Sequence, residues 1–296
     1  MPVVKGRFHP LRLLLTHLFL WVALAIILAP LLLILSISFR EGNLAVGSLI
    51  PERFSWEHWQ RVLGIPTPGP DGILIPPPFP VLQWLWNSLQ ISGIAAALLV
   101  VLSVTSAYAF SRLKFQPKQG LLQGLLLFQV FPAVLALVAL YTLISQLGKV
   151  IPGLGLDTHG GLILVYLGGI AISVWMMKGY FDMLPASVEE AAQVDGANRI
   201  QILIYVLLPM SYPILAVVFM LSLITIFNEF PIASVLLFQE KNLTLAVGLR
   251  FFLQDQNFLW GDFAAAAIMG GVPITVIFLV TQRFLVAGLT QGAGKD

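Results

Sequence analysis

Six long apolar stretches, separated by polar segments, constrain this chain more than any other feature. They run over about 13–38, 86–110, 121–145, 160–179, 205–237 and 262–286. A helix needs about 20 mostly apolar residues to cross the hydrocarbon core of a bilayer, and each stretch reaches that length. Of the 296 residues, 58% are hydrophobic and 10% are charged, against about 25% charged in an ordinary soluble domain. A soluble fold of this size has nowhere to hide so much apolar surface, so lipid is the solvent for much of the chain. The expected fold is all-α and integral to the membrane, with six transmembrane helices in a single domain over residues 1–296. The fifth stretch is long and holds polar residues, so it is expected to tilt, break or begin outside the bilayer. Pro30, Pro132, Pro231 and Pro273 lie in or near spans. Each removes a backbone donor and favours a kink, which a membrane helix tolerates when neighbours satisfy the freed carbonyls.

Charge gives the direction. The N-terminus carries Lys5, Arg7 and Arg12, and the loop Ser111–Gly120 carries Arg112, Lys114 and Lys118 with no acid; Lys178 and Arg199 follow the fourth span. Basic residues in short loops mark the cytoplasmic side, so both termini are expected there. The first apolar run is too long for the roughly 7–15-residue core of a cleaved signal peptide and reads as a span. On the opposite side, residues 40–85 hold Pro76, Pro77, Pro78, Pro80 and Trp84, with Trp86 just beyond, the composition of an ordered cap with interfacial tryptophans.

The same composition excludes several functions. A net charge of +2 makes no case for nucleic acid, and the absence of cysteine removes disulfides, thiolate metal sites and cysteine nucleophiles. His9, His17, His58 and His159 are scattered, so no metal site is expected. The segment Gly288–Lys295 has five residues between its glycines and ends on Asp296, so it is not a phosphate-binding loop. No catalytic constellation is visible: the chain reads as a non-enzyme with no cofactor of its own. One acid, Glu229, sits inside a span after Asn228 and before Pro231. An intramembrane acid is a functional candidate. It can line a cavity, bond the backbone freed by Pro231, or relay protons in an ion-coupled secondary transporter. Gln129, Asn228 and Tyr141 are possible polar liners of a path through the bundle. Asn242-Leu243-Thr244 matches a glycosylation sequon, a pattern that arises often by chance.

The segment 180–209 between the fourth and fifth spans is long for a bundle connection. Ser187 with Glu190 three residues on makes a capping-box pattern; Asp195-Gly196 signals a helix end, and Asn198 can cap a second helix. A helix–turn–helix is therefore expected on the cytoplasmic surface. Its small residues (Ala191, Ala192, Gly196, Ala197) permit close approach of another backbone, and its charges (Glu189, Glu190, Asp195, Arg199) can set register.

Glu190-Ala191-Ala192, three residues, Gly196, nine residues, then Val206-Leu207-Leu208-Pro209 resembles the EAA loop of permeases in binding-protein-dependent ABC importers. The family pattern departs here only in Val206 for isoleucine. Gly47–Pro51, Pro76–Pro80 with Trp84–Ser88, Phe131–Val134, Thr158–Gly161 and Trp260–Ala267 extend the resemblance over nearly the whole chain, to maltose/maltodextrin importers. That resemblance implies a type I importer fold in a bacterial inner membrane. It also implies four kinds of partner: a second permease subunit of the MalF type, a homodimer of ATP-binding subunits, a periplasmic or extracellular sugar-binding protein, and the bilayer. ATP and Mg would be bound by the ATPase partners. Glu190, Ala191, Ala192, Asp195 and Gly196 would couple to the ATPase, with Glu190 serving both its own helix cap and the docking. Leu253, Gln254, Asp255, Gln256, Asn257 and Phe258 would form the loop that meets the binding protein. Gly292, Gly294 and Lys295 would lie in a tail at the ATPase interface. Permeases for other sugars in the same family, and the ion-coupled transporter, stand as alternatives.

Overall fold

The computed structural model describes residues 10–68, 71–130, 132–254 and 257–292. Lys5, Arg7, Phe131, Asp255, Gln256, Gly294 and Lys295, singled out above, lie outside the described residues. Helices dominate, and the chain divides into two compact units: 1–79 with 252–269, and 80–251 with 270–296.

In the first unit, helix α1 (Pro10–Ser38) has a central window of mean hydropathy 3.0, none of it buried within the chain. Leucine and isoleucine on every side suit lipid or another subunit, and Pro30 sits inside without ending the helix. An irregular segment follows, closed by one backbone bridge between Arg40 and Phe54, and leads to α2 (Glu57–Val62). Two two-residue ribbons complete this unit's strands: β1 (Thr67–Pro68) with β2 (Leu74–Ile75), and β3 (Leu253–Gln254) with β4 (Asn257–Phe258), both antiparallel.

The second unit is built on α3 (Val81–Arg112). Its buried positions, among them Trp84, Ser88, Ile91, Ala95, Leu99, Ser103 and Ala107, recur every three or four residues. Many are small, and small residues let membrane helices approach closely where no hydrophobic drive exists between apolar surfaces. Several elements pack on α3, and three of the longer helices are among them. These three are α6 (His159–Tyr166), α7 (Ala171–Met183) and α11 (Tyr212–Phe227). A 3-10 turn over Leu167–Ile170 joins α6 to α7, and the two together are long and apolar enough for one span. Before them lie α4 (Lys118–Val130) and α5 (Leu137–Val150).

Among the described residues, four helices are continuous and apolar enough to cross a membrane, and up to six if two bent pairs each count as one span. The third expected span is such a pair, α4 with α5. The fifth breaks too. It comprises α9 (Arg199–Gln201), a π-helical stretch over Ile202–Leu207 and α10 (Leu208–Met210); it bends by 80° at Ser211 into α11. Pro213 explains the break, because it lacks an amide and is housed in the first turn of the new helix. The last apolar stretch ends in α14 (Trp260–Gly292), which keeps Pro273 inside it.

Candidate functional site

Helix α8 (Ala186–Val194) holds the glutamates of the 180–209 segment. Its start differs from the expected capping box. Pro185 is the N-cap residue, in extended conformation, and no side chain caps the helix. The proline sets the helix boundary two residues earlier than Ser187 would, so Ser187 falls in the first turn and Glu190 has no N-cap amide to reach. Glu190 instead points outward, exposed, and no side-chain bond of it is found among the described residues. Its end matches the expectation. Gly196 has φ +87°, donates to the Gln193 carbonyl at 3.0 Å, and Ala197 donates to the Ala192 carbonyl at 2.9 Å. These are the two bonds of a Schellman cap, whose turn residue favours glycine because it lacks a Cβ. A Cβ on Gly196 would meet nothing within 4 Å, so the glycine serves backbone conformation and leaves open space beside it. Asn198 then caps α9: its Oδ1 accepts from Ile200 and Gln201 at 3.0 Å each, and the Gln201 side chain accepts from the Asn198 amide at 2.8 Å.

The two faces of α8 divide the work. Glu190, Ala191, Val194, Asp195 and Gly196 are exposed, whereas Glu189 is buried and Ala192 half-buried. Ala192, Leu184 and Ala197 pack on a core of Val104, Ala107, Met177, Phe181, Ile202, Leu207 and Val218. Glu189 meets Arg112, whose Nε donates to it in an ion pair. The same guanidinium donates to Ser111 Oγ at 2.9 Å and to the Leu184 carbonyl at 3.3 Å. Ser111 Oγ donates to Asp182 at 2.6 Å, and Lys178 pairs with Asp182 at 2.5 Å. Sequence reasoning took Arg112 and Lys178 only as topology signals. Their partners lie about 70 residues away or one helical turn away, and only the former pairing is beyond local reading.

Glu229 lines a cavity of about 590 Å³ with Gln129, Tyr166, Ser173, Ser222 and Thr225 among otherwise apolar side chains. Its carboxylate accepts three donors: Tyr166 Oη at 2.7 Å, the Ile232 amide at 2.7 Å and the Ala233 amide at 3.0 Å. The two amides belong to the first turn of α12 (Pro231–Leu236), where no intrahelical carbonyl is available. Asn228 turns back to the Ile224 carbonyl at 2.8 Å. Neither Asn228 nor Tyr141 lines this cavity; Gln129 does.

At the Val81 end of α3 lies a frame that sequence reasoning missed. Asn87 Nδ2 donates to the carbonyls of Lys241 (2.9 Å) and Leu243 (2.8 Å), Trp84 Nε1 to Glu240 (2.8 Å), and the Leu245 amide to Ser88 Oγ (2.7 Å). Leu245 opens α13 (Leu245–Gly248). A Cβ on Gly248 would land on the Trp84 indole. Asp157, at φ +57°, accepts from the amides of Phe238 and Gln239 and from Asn242 Nδ2. Asn242, in the sequon Asn242-Leu243-Thr244, is thus a structural donor. The separation of these partners by roughly 80 to 160 residues hid them.

In the first unit, His58 is fully buried and both ring nitrogens meet oxygen: Nδ1 with Asp262 Oδ1 at 2.6 Å, Nε2 with the carbonyls of Arg40 (2.9 Å) and Gly42 (3.1 Å). Arg61 reaches the other Asp262 oxygen at 3.4 Å, and Asn43 Oδ1 accepts the Gly261 amide at 3.1 Å at the start of α14. Leu253 and Gln254 pair in register with Phe258 and Asn257, so the expected loop is a hairpin. Gly292 falls at the end of α14. Among the described residues no cluster could hold a metal ion.

A sequence model of the family described as "Binding-protein-dependent transport system inner membrane component" matches residues 100–288. The chain belongs to that family: it is a multi-pass inner-membrane transport component and not an enzyme. Among its relatives are the maltose/maltodextrin transport system permease proteins MalG of Vibrio parahaemolyticus and Escherichia coli K12. Both are 55% identical to it over 295 residues, covering the whole of both chains. The protein of that name from Salmonella typhimurium is 56% identical, with the same coverage. In fold, the chain is similar to one from a bacterial ABC transporter involved in import of the acidic polysaccharide alginate. The TM-score is 0.72 at 24% identity, covering 96% of this chain and 99% of that one. A chain of the MetNI methionine ABC transporter in an inward-facing conformation gives 0.56 at 16% identity, covering 70% and 95%.

Proposed function

We propose that this chain is the permease subunit of an ATP-driven, binding-protein-dependent importer that carries maltose and maltodextrins across the bacterial inner membrane. The observation that carries this reading is the likeness of 55–56% over full length to permeases bearing that description. In this reading the six apolar stretches are six spans, each bent pair counting once, with both termini cytoplasmic. The partners are a second permease of the MalF type, two ATPase subunits that bind ATP and Mg, and an external sugar-binding protein.

The α8 knuckle is the docking element. Glu190, Ala191, Ala192, Asp195 and Gly196 form its recognition segment, with the exposed ones facing the ATPase. The exposure of Glu190 and the open space beside Gly196 support this assignment. The hairpin Leu253–Phe258 meets the binding protein, and the tail with Gly292, Gly294 and Lys295 reaches the ATPase dimer. Glu229, held by three donors, fixes the start of α12 at the cavity wall and is a structural contact, not a proton relay.

The test is co-purification. With both permeases and the ATPase co-expressed, Glu190→Lys reverses the charge of an exposed side chain and leaves the buried face of α8 untouched. The chain should insert normally while losing the ATPase. Retention of full ATPase and normal uptake by this variant would remove the docking assignment.

A further inference from the structure

We propose that Arg112 is a positioning residue for energy coupling: its ion pair with Glu189 is the strut that passes movement of the α8 knuckle into the spanning helices. The proposal rests on the importer reading above.

A surface helix transmits displacement only through contacts stiffer than the chain that tethers it. At its N-terminal end α8 is tethered by Pro185, in extended conformation, and at its C-terminal end by the left-handed turn at Gly196. Its apolar hold on the core is one half-buried alanine, Ala192, with Leu184 and Ala197 at either flank. A methyl group gives little directional resistance. Glu189 supplies the directional bond: it is buried and paired with the last residue of α3. The guanidinium is fixed in turn, since Nε engages Glu189, one terminal nitrogen Ser111 Oγ and the other the Leu184 carbonyl. A planar fork held by three acceptors has a set orientation that an ammonium lacks. Ser111 continues the network to Asp182, which Lys178 pairs one turn back on α7. The ends of α3 and α7 and the inner face of α8 therefore form one bonded corner. Both helices pack on each other along the second unit, so force on the exposed face of α8 enters there.

Two adjacent glutamates thus have opposite assignments. Glu190 faces the partner that delivers the stroke; Glu189 faces the helices that receive it.

The experiment uses the complete complex, both permeases with the ATPases, in proteoliposomes with the maltose-binding protein. Uptake and ATP hydrolysis are measured together for the unaltered chain, Arg112→Met, Arg112→Lys, Arg112→Glu and the exchange Arg112→Glu with Glu189→Arg. The expected result is assembly with ATP hydrolysis retained, and sugar moved per ATP reduced about fivefold or more in Arg112→Met, the low end of coupling between allosteric sites. Lysine should restore part of the ratio. The exchange should restore more than Arg112→Glu alone. An unchanged ratio in Arg112→Met overturns the proposal.

A second readout covers the case in which Arg112→Met merely weakens assembly. The chain has no cysteine, so spin labels can be placed at Ser187 on α8 and Thr105 on α3, both exposed and outside the docking segment. ATP should leave the width of their distance distribution unchanged in the native pair and broaden it in Arg112→Lys. Equal widths in both overturn the strut. If the unaltered complex shows no uptake dependent on ATP and binding protein, the importer reading itself fails, and that result is visible before any variant is compared.

Discussion

Replacing Gly196 with alanine, asparagine and valine separates two reasons for a glycine in the α8 knuckle. The residue sits at φ +87° with no atom within 4 Å of an added Cβ. Within the chain the cost of alanine is therefore conformational, about 1–2 kcal/mol for a left-handed residue bearing a Cβ. That cost falls on the Schellman bonds Gly196 N to Gln193 O and Ala197 N to Ala192 O. Opening of these bonds should become about 5 to 30 times more frequent, the factor that one to two kcal/mol gives in a local equilibrium. Amide hydrogen exchange at 196 and 197 in the detergent-purified complex reads this directly. Asparagine, which tolerates the left-handed region, should recover most of the protection; valine, β-branched, should lose the most. ATPase co-purification is then compared across the same set. If docking needs only the turn, it follows protection. If it needs the open space, asparagine protects the turn yet still loses the partner. Protection equal to glycine in the alanine and valine variants would refute the reasoning about the cap.

Asp262→Ala strips a fully buried His58 of its 2.6 Å partner and should destabilise the first unit by about 1–3 kcal/mol, the cost of a buried polar group left without its hydrogen bond; accelerated proteolysis within 39–62 checks this. Glu229→Gln places an amide NH2 among three donors. The loss should be about 1–3 kcal/mol in thermal stability of the complex, the cost of a buried donor left unmade, with residual uptake still insensitive to uncouplers. Gly248→Ala drives a methyl into the Trp84 ring; overpacking of about 1–3 kcal/mol should show as a lowered midpoint of fluorescence-monitored unfolding.

Local physics made the long apolar helices legible, because lipid demands long apolar runs and the runs are plain. It also made Gly196 and Asn198 legible: each cap is settled by residues within five positions. The start of α8 was misread because Ser187 and Glu190 have the right spacing but Pro185 has already set the helix boundary. The breaks near Pro132 and Ser211 follow from prolines whose effect depends on which neighbours take up the freed carbonyls, and that is tertiary. Arg112 could be counted as a loop charge, yet nothing local tells that its guanidinium turns back onto Glu189 and Leu184. The same holds for Trp84, Asn87, Ser88 and Asp157. Their side chains bond backbone far along the chain, a class of contact that composition and periodicity do not encode.

On the importer reading, this chain moves sugar by transmitting ATP-driven motion and has no energy source of its own. Uptake of labelled maltose into proteoliposomes tests it most directly, with the chain reconstituted alone and then with its permease partner, the ATPases, internal ATP and external binding protein. No uptake is expected from the chain alone, and uptake by the full set should stop when either ATP or the binding protein is omitted. Uptake by the chain alone, driven by an ion gradient and abolished by Glu229→Gln, would contradict it.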